Sequence, residues 1–389
     1  MAETPQVTVI VGGKFHAFYL ARELQRRRAL ARLITAYPRF AAVRAGIPPK
    51  KVAAFPAKEI ALRTWQKLPA GPWKRRRPHY LLGEIFDRTA SRALVPCDLL
   101  VGWSGFSLCS LEKMKKRGTP TVLERGSSHI AEQTDLLREE YRRFGLRPIL
   151  ADPRVVAKEI REYELADFIA IPSSFVRESF LRRGIPEEKL IQVPYGVELG
   201  DFHPRPGSRD EVFRVIYAGR ICLRKGVHYL LRAFAELDLP GAELLLAGSV
   251  DADFRPFLAG IPDSVKLLGR RPQAELADIY SRGTVFVMPS IEEGMAMVQV
   301  QAMACALPLI CTPNSGGSDL IREGEEGFTV GIRDVEALKE RLRFLQRNRD
   351  RADEMGRRAR QRVEGEFTWE KYGSRIFAEY LKVVRKGQQ

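Results

Sequence analysis

Glu293 and Gln301 stand eight positions apart in the stretch Thr284–Thr312, TVFVMPSIEEGMAMVQVQAMACALPLICT. Arg220 and Lys225 stand five apart in a loop that follows the apolar run Phe213–Ala218. Gly12-Gly13 closes another such run, Val7–Val11, and His129 ends the polar sequence Glu124-Arg125-Gly126-Ser127-Ser128-His129. Two fixed cations at one strand end suit a diphosphate. They would neutralise the negative charge that grows on it as it departs. A carboxylate beside the free N–H groups of a helix start offers a seat for a phosphate-bearing ligand. With helix between them, Glu293 and Gln301 would lie about 12 Å apart at about 1.5 Å per residue. That places one polar group at each end of a diphosphate-bridged ligand. A histidine at a strand end can donate to an oxygen or act on a proton. Each feature also has a plainer reading: a crossover whose acidic loop faces water, a tight glycine turn, solvated loop cations, and a helix capped by Ser127 or Ser128.

The elements that position these residues alternate strand and helix. Thr284–Met288 reads as a buried strand, Glu292-Glu293-Gly294 as a turn, Ala296–Ala306 as a helix and Leu309–Cys311 as a second strand. In parallel sheets ligands bind beyond the carboxyl ends of strands. Upstream, Val7–Val11 and residues 31–36 read as strands around a helix, Ala17–Arg28. Residues 37–90 are rich in Pro, Arg and aromatics and read as an elaborated surface region, with loops at Pro38–Lys50 and Leu68–Pro78 and a helix near 80–94. Asp98–Gly102, Thr121–Leu123, Asp167–Pro172 and Leu190–Val193 read as strands, with helices through 130–166 and at Ser173–Arg183. Pro194–Pro206 is turn-rich and is the best linker. After it the pattern restarts, with strands at Phe213–Ala218, Glu243–Ala247, Val265–Leu268 and Val285–Met288. The chain ends in an amphipathic helix from Phe367-Thr368-Trp369 to Val384.

At 389 residues the chain exceeds one core, so two domains are expected. The 45% apolar content excludes a disordered class. The five cysteines lack metal or disulfide spacing and fit a reducing compartment. No signal peptide and no membrane span are read. The net charge of +16 lies wholly in residues 1–150, which hold 28 Lys+Arg and 12 Asp+Glu; the remaining 36 basic and 36 acidic groups balance. Basic clusters include Lys74–Arg77, bracketed by Trp65, Trp73 and Tyr80. An anionic membrane surface, nucleic acid and general solubility compete as explanations. Basic residues contribute roughly 1 kcal/mol each on anionic lipid, and no nucleic-acid motif accompanies the charge.

The order Pro194-Tyr195-Gly196-Val197-Glu198, Ala218-Gly219-Arg220, Lys225-Gly226-Val227, Leu268-Gly269, Pro289-Ser290, Glu293-Gly294, Gln301-Ala302-Met303-Ala304 and Leu307-Pro308 resembles the family 4 glycosyltransferases. The resemblance covers nearly the whole chain. It implies a GT-B fold of the α/β class: two Rossmann-like doubly wound domains facing a cleft, with a C-terminal helix crossing back to the first. The implied domains are 1–195 for the acceptor, 196–367 for the donor and 368–389 for the helix. The implied activity is transfer of a sugar, with retention, from a nucleotide-diphosphate donor to an acceptor hydroxyl. Arg220 and Lys225 match the diphosphate-binding pair, and Glu293 matches the first Glu of a Glu-x7-Glu motif that holds sugar hydroxyls. Gly294, Met295 and Ala296 match the loop cradling sugar and phosphate. Gly13 matches a glycine facing the β-phosphate, and His129 a histidine near the reacting sugar. Gly219, Val298 and Gln301 complete the donor-binding set, and Glu293, His129, Lys225 and Arg220 form the catalytic one.

Two positions depart from the family pattern. The second Glu, which grips the ribose, is Gln301 here; an amide still bonds a diol but forgoes a charge-assisted bond worth about 1 kcal/mol. A glycine of the usual loop is Ala296, which restricts the backbone. No Asp-x-Asp lies in a donor context, since Asp251-Ala252-Asp253 reads as a loop, so no metal and no cofactor beyond the nucleotide sugar are expected. The expected partners are that donor, a glycan or lipid-linked acceptor, and peripheral contact with an anionic membrane, without nucleic acid. The expected location is the cytoplasm or the inner membrane face, in envelope polysaccharide assembly. Two other classes stay open: another GT-B enzyme such as a nucleotide-sugar epimerase, and a catalytically silent sugar-nucleotide-binding or nucleic-acid-binding protein.

Overall fold

The structure, a computed structural model, describes residues 4–68, 78–208 and 210–387. Each half is built on short apolar runs buried on both faces, as parallel strands require. In the first half β1 (Val7–Val11) is all β-branched and wholly buried. It pairs in parallel with β2 (Leu30–Thr35), which pairs with β3 (Val52–Ala54). On its other side lie β4 (Leu99–Trp103), β5 (Thr121–Glu124), β6 (Phe168–Ile171) and β7 (Leu190–Gln192), giving the order β3-β2-β1-β4-β5-β6-β7. The second half repeats the plan. Here β8 (Arg214–Ala218), β9 (Glu243–Ala247), β10 (Val265–Gly269), β11 (Val285–Met288), β12 (Leu309–Cys311) and β13 (Gly327–Thr329) run in the order β10-β9-β8-β11-β12-β13. In each sheet the winding reverses beside its first strand, between β1 and β4 and between β8 and β11. Loops leaving those strands diverge and open a crevice at the carboxyl ends. The two crevices share one cavity, so the chain has the expected pair of doubly wound domains around a central cleft.

The last helix, Trp369–Lys386, returns to the first domain. Thr368 caps it by accepting from the Lys371 amide, and Trp369 stacks on Tyr19 of the helix Ala17–Arg26 at 4.1 Å. Arg27 donates to Ser374 at 2.8 Å beside the same contact. Among the described residues no helix is long and apolar enough to cross a membrane.

Two local expectations change. Residues 37–90 are more ordered than their composition suggests: they hold helices Arg39–Arg44, Ala57–Lys67 and His79–Arg92 and the edge strand β3. Three residues, of which only Val52 is buried, are too few to show a period of two. The cluster Lys74–Arg77, Trp73 and most of the loop expected at Leu68–Pro78 lie outside the described residues. The first helix stops at Arg26, because Arg28 turns left-handed (φ +58°). The expected linker, Pro194–Pro206, lies between β7 and β8 and is packed. Tyr195, Val197 and Phe202 are buried, and the Val197 amide donates to the Phe367 carbonyl at 2.8 Å, fixing the start of the returning helix.

Candidate functional site

The second-domain wall of the cavity grows from β8 and β11. After Ala218 the chain turns through Gly219, and Arg220 is held by Asp251, Nε to Oδ1 at 2.7 Å. A short turn, Leu223–Lys225, ends at Gly226 with φ +65° and starts the helix Val227–Leu237. A Cβ at Gly226 would overlap the Pro289 carbonyl, so only glycine lets these loops approach. That approach sets Lys225 against the Glu293 carboxylate. The helix expected at Ala296–Ala306 runs Met297–Ala304, with Ala296 extended as its cap and no side-chain cap. The first half of the Glu293–Gln301 interval is therefore loop, and the 12 Å helical spacing does not apply. Gln301 lines the cavity, and its Oε1 is buried with no hydrogen-bond partner among the described residues.

The first-domain wall is aromatic and acidic. Phe15 takes a left-handed backbone (φ +37°) and stays exposed at the cavity mouth. His16 is buried behind it, 4.2 Å from the Tyr195 ring and 5.0 Å from Trp103. Its Nε2 meets Glu124 Oε2 at 3.1 Å, and the Tyr380 hydroxyl of the returning helix donates to Glu124 Oε1 at 3.3 Å.

The two walls enclose about 470 Å³, within the usual range for a ligand of nucleotide-sugar size. Of the residues singled out in the sequence, Gly219, Arg220, Lys225, Glu293, Met295, Ala296, Val298 and Gln301 line this cavity together. Three do not. The Phe15 ring presses against Gly13. Gly294 is seated on the first domain, its Cα against the Gly126 carbonyl and its own carbonyl accepting from Ser173 at 2.7 Å. His129 lies behind the wall. It is itself the cap of helix Ile130–Arg143, Nδ1 accepting from Ala131 at 3.2 Å, so neither Ser127 nor Ser128 takes that role. Its ring packs on Tyr163 and Phe180. Burial, then the Arg125 cation, push its pKa down to about 4, so it is neutral near pH 7. The histidine that borders the cavity is His16. The signal available in the sequence was its place three residues beyond Gly13, at the same kind of strand end.

Each cation of the second-domain wall has a carboxylate partner, Arg220 with Asp251, Arg224 with Glu292 and Lys225 with Glu293. Burial, followed by the neighbouring Arg224 cation, pushes the Lys225 ammonium down to about 7. The Glu293 carboxylate beside it works against that loss of charge. Asp251 and Asp253 are both engaged by the protein, Asp251 by Arg220 and Asp253 by the Tyr141 hydroxyl at 2.5 Å. Among the described residues no group of three or more His, Cys, Asp or Glu is placed to hold a metal ion.

Residues 201–362 match the family described as Glycosyl transferases group 1. D-inositol 3-phosphate glycosyltransferase 1 of Catenulispora acidiphila is 29% identical over 300 residues, 70% of this chain and 69% of that protein. Sulfoquinovosyl transferase SQD2 of Arabidopsis thaliana is 27% identical over 221 residues, 53% of this chain and 43% of that protein. Putative colanic acid biosynthesis glycosyltransferase WcaL of Escherichia coli is 28% identical over 200 residues, 48% of this chain and 49% of that protein. The chain thus spans under half the length of these last two relatives. Among solved structures, sucrose-phosphate synthase from Thermosynechococcus elongatus superposes with a TM-score of 0.72 at 19% identity, covering 98% of this chain and all of that one. Anabaena HepE in complex with UDP-glucose superposes at 0.70 with 15% identity, covering 97% and 99%. The architecture is the two-domain GT-B fold of these structures, and residues 201–362 are similar to the group 1 glycosyl transferases.

Proposed function

We propose that this chain is a retaining glycosyltransferase that moves a sugar from a nucleotide-diphosphate donor to an acceptor hydroxyl, without a metal. The observation that carries the reading is the cavity at the two facing switch points, with Arg220 and Lys225 on one wall and the unpartnered Gln301 Oε1 beside them. In this reading Lys225 and Arg220 take the diphosphate and offset its growing charge as the glycosidic bond breaks. Glu293 holds sugar hydroxyls, and Gln301 bonds the ribose diol. The leaving phosphate accepts the acceptor's proton on the same face, so no covalent nucleophile is assigned. His16, fixed by Glu124, is the histidine available to the sugar. HepE, a structural neighbour, binds UDP and UDP-glucose, which makes uridine nucleotides the first donors to try. A thermal-shift panel of nucleoside diphosphates tests this: the cognate one, at about 100 times its Kd, should add about 2.7 kcal/mol of stability. A panel with no shift at millimolar concentration would remove the reading.

The acceptor in this proposal is lipid-linked, reached at an anionic membrane surface. Of the large apolar side chains exposed among the described residues, nine of eleven belong to the first 150 residues, where the charge excess also lies. Three of them fall on helix faces with cations: Ile60 with Arg63 and Lys67, and Leu81 and Ile85 with Arg88. Apolar groups ringed by Lys and Arg suit an anionic headgroup layer. The protein is expected to co-sediment with vesicles containing phosphatidylglycerol at low salt and to be released at about 0.5 M salt, where charges are screened beyond about 4 Å. Ile60→Glu with Leu81→Glu should lower the bound fraction about tenfold. Absence of binding at low salt counts against the membrane part alone.

A further inference from the structure

Glu292 and Glu293 are consecutive, and so are Arg224 and Lys225, yet the two pairs they form face different ways. Glu293 and Lys225 meet in the cavity wall. Glu292 meets Arg224, Oε2 to Nε at 2.7 Å, and its side chain is fully buried. The Glu292 carboxylate reaches into the first domain. It accepts from the Ser128 amide at 3.2 Å, the Ser128 hydroxyl at 2.7 Å and the Gln133 side-chain amide at 2.9 Å. Arg224 spans the same boundary, Nη2 donating to Ser127 Oγ at 3.0 Å. Gln133 is held in turn by Arg125 at 3.1 Å, and Arg125 by Glu159 at 2.6 Å. An unbroken run of polar contacts therefore leads from the loop beside Glu293 into the first domain. Burial raises the Glu292 carboxyl, but Arg224 and the hydrogen bonds from Ser128 and Gln133 hold it below the usual carboxylate range, so it is charged. A buried charge is tolerated only where its partners are in place, and the partners of Glu292 come from both domains.

We propose that Glu292 and Arg224 are positioning residues that lock the loop Ile291–Ala296 onto the first-domain loop 125–129, so that an anion taken up by the adjacent Lys225–Glu293 pair is felt across the cleft. The backbone supplies the coupling. The Ile291 and Glu292 amides both donate to the Arg224 carbonyl, at 3.0 and 3.2 Å, so a shift of the Lys225 or Glu293 backbone on binding a diphosphate moves Arg224 and Glu292, which are bonded to Ser127, Ser128 and Gln133 of the first domain. This rests on the nucleotide reading of the cavity given above.

The test is hydrogen exchange on the full chain, with UDP and GDP as probes and calorimetry to establish binding. The segment Ser128–Gln133 is the reporter, because none of its residues lines the cavity. In the wild type, saturating nucleotide should slow its exchange by about threefold or more, by deepening the local opening energy. Glu292→Gln keeps the side-chain shape and removes the charge. It should bind the same nucleotide within about tenfold while losing that protection, a split that a purely structural role does not produce. Gln133→Met, which removes one donor to Glu292 from outside the cavity, should show the same loss in part and serves if Glu292→Gln does not fold. Binding without protection in the wild type, or protection unchanged in both variants, overturns the proposal alone. Failure of the wild type to bind either nucleotide overturns the cavity reading and this proposal together.

Discussion

Gly294→Ala should lower transfer at least about 100-fold, the usual effect of misplacing reacting groups by about 1 Å, while both domains remain folded. A Cβ at Gly294 would overlap the Gly126 carbonyl oxygen and crowd the Ser127 amide. Those atoms are backbone of the opposite domain, so no rotamer change relieves the clash. Either the domains separate or the loop carrying Glu293 and Met295 shifts. Both alternatives pull the donor wall away from His16 and Tyr195. The second-domain core is untouched, because Gly294 sits at its surface, against the first domain. The measurements are turnover of the cognate donor, nucleotide affinity and far-UV circular dichroism. Activity within threefold of the wild type would show that the domains do not act with Gly294 seated on Gly126.

Lys225→Ala should reduce turnover about 10³-fold, as loss of a preorganised charge at a developing anion does. It should also weaken nucleoside diphosphate binding by at least tenfold. Part of that loss comes from Glu293, left as a carboxylate facing the diphosphate without its cation. Lys225→Ala with Glu293→Gln should therefore recover binding relative to Lys225→Ala alone, and the non-additivity measures the pair. The same lysine predicts a pH dependence. Its pKa is depressed to about 7, so the cationic form prevails below that value and is lost above it. Affinity for the fully ionised diphosphate should fall as pH rises beyond about 7, the bound anion moving the fall upward by favouring the charged form. Lys225→Arg, with a guanidinium that stays protonated, should flatten the profile. A wild-type profile that is flat from pH 6 to 9 would rule out a titrating Lys225 in the site.

The sequence by itself determined the repeating strand–turn–helix plan and most of the second-domain wall. Buried parallel strands such as Val7–Val11 and Val285–Met288 are short runs rich in valine and closed by turn residues, and that signal is local. Gly226 and the Arg220–Lys225 interval were legible for the same reason: their spacing is set by one turn between one strand and one helix. The tertiary structure decided what depends on distant partners. His129 and His16 both follow strand ends, but only packing against Tyr163 and Phe180 removes the first from the cavity, and only Glu124, 108 residues away, turns the second toward a neighbour that fixes its ring. Glu292 read as a solvated turn residue; a boundary between domains, formed by Ser128 and Gln133 more than 150 positions earlier, makes it a buried charge. The turn-rich composition of Pro194–Pro206 marks it as a linker, but only the fold buries Val197 and Phe202 and bonds the Val197 amide to the Phe367 carbonyl. Local pattern specifies which face of an element is apolar. Which partner meets that face is a property of the folded chain, because the free energy of burial does not depend on where along the sequence the covering group lies.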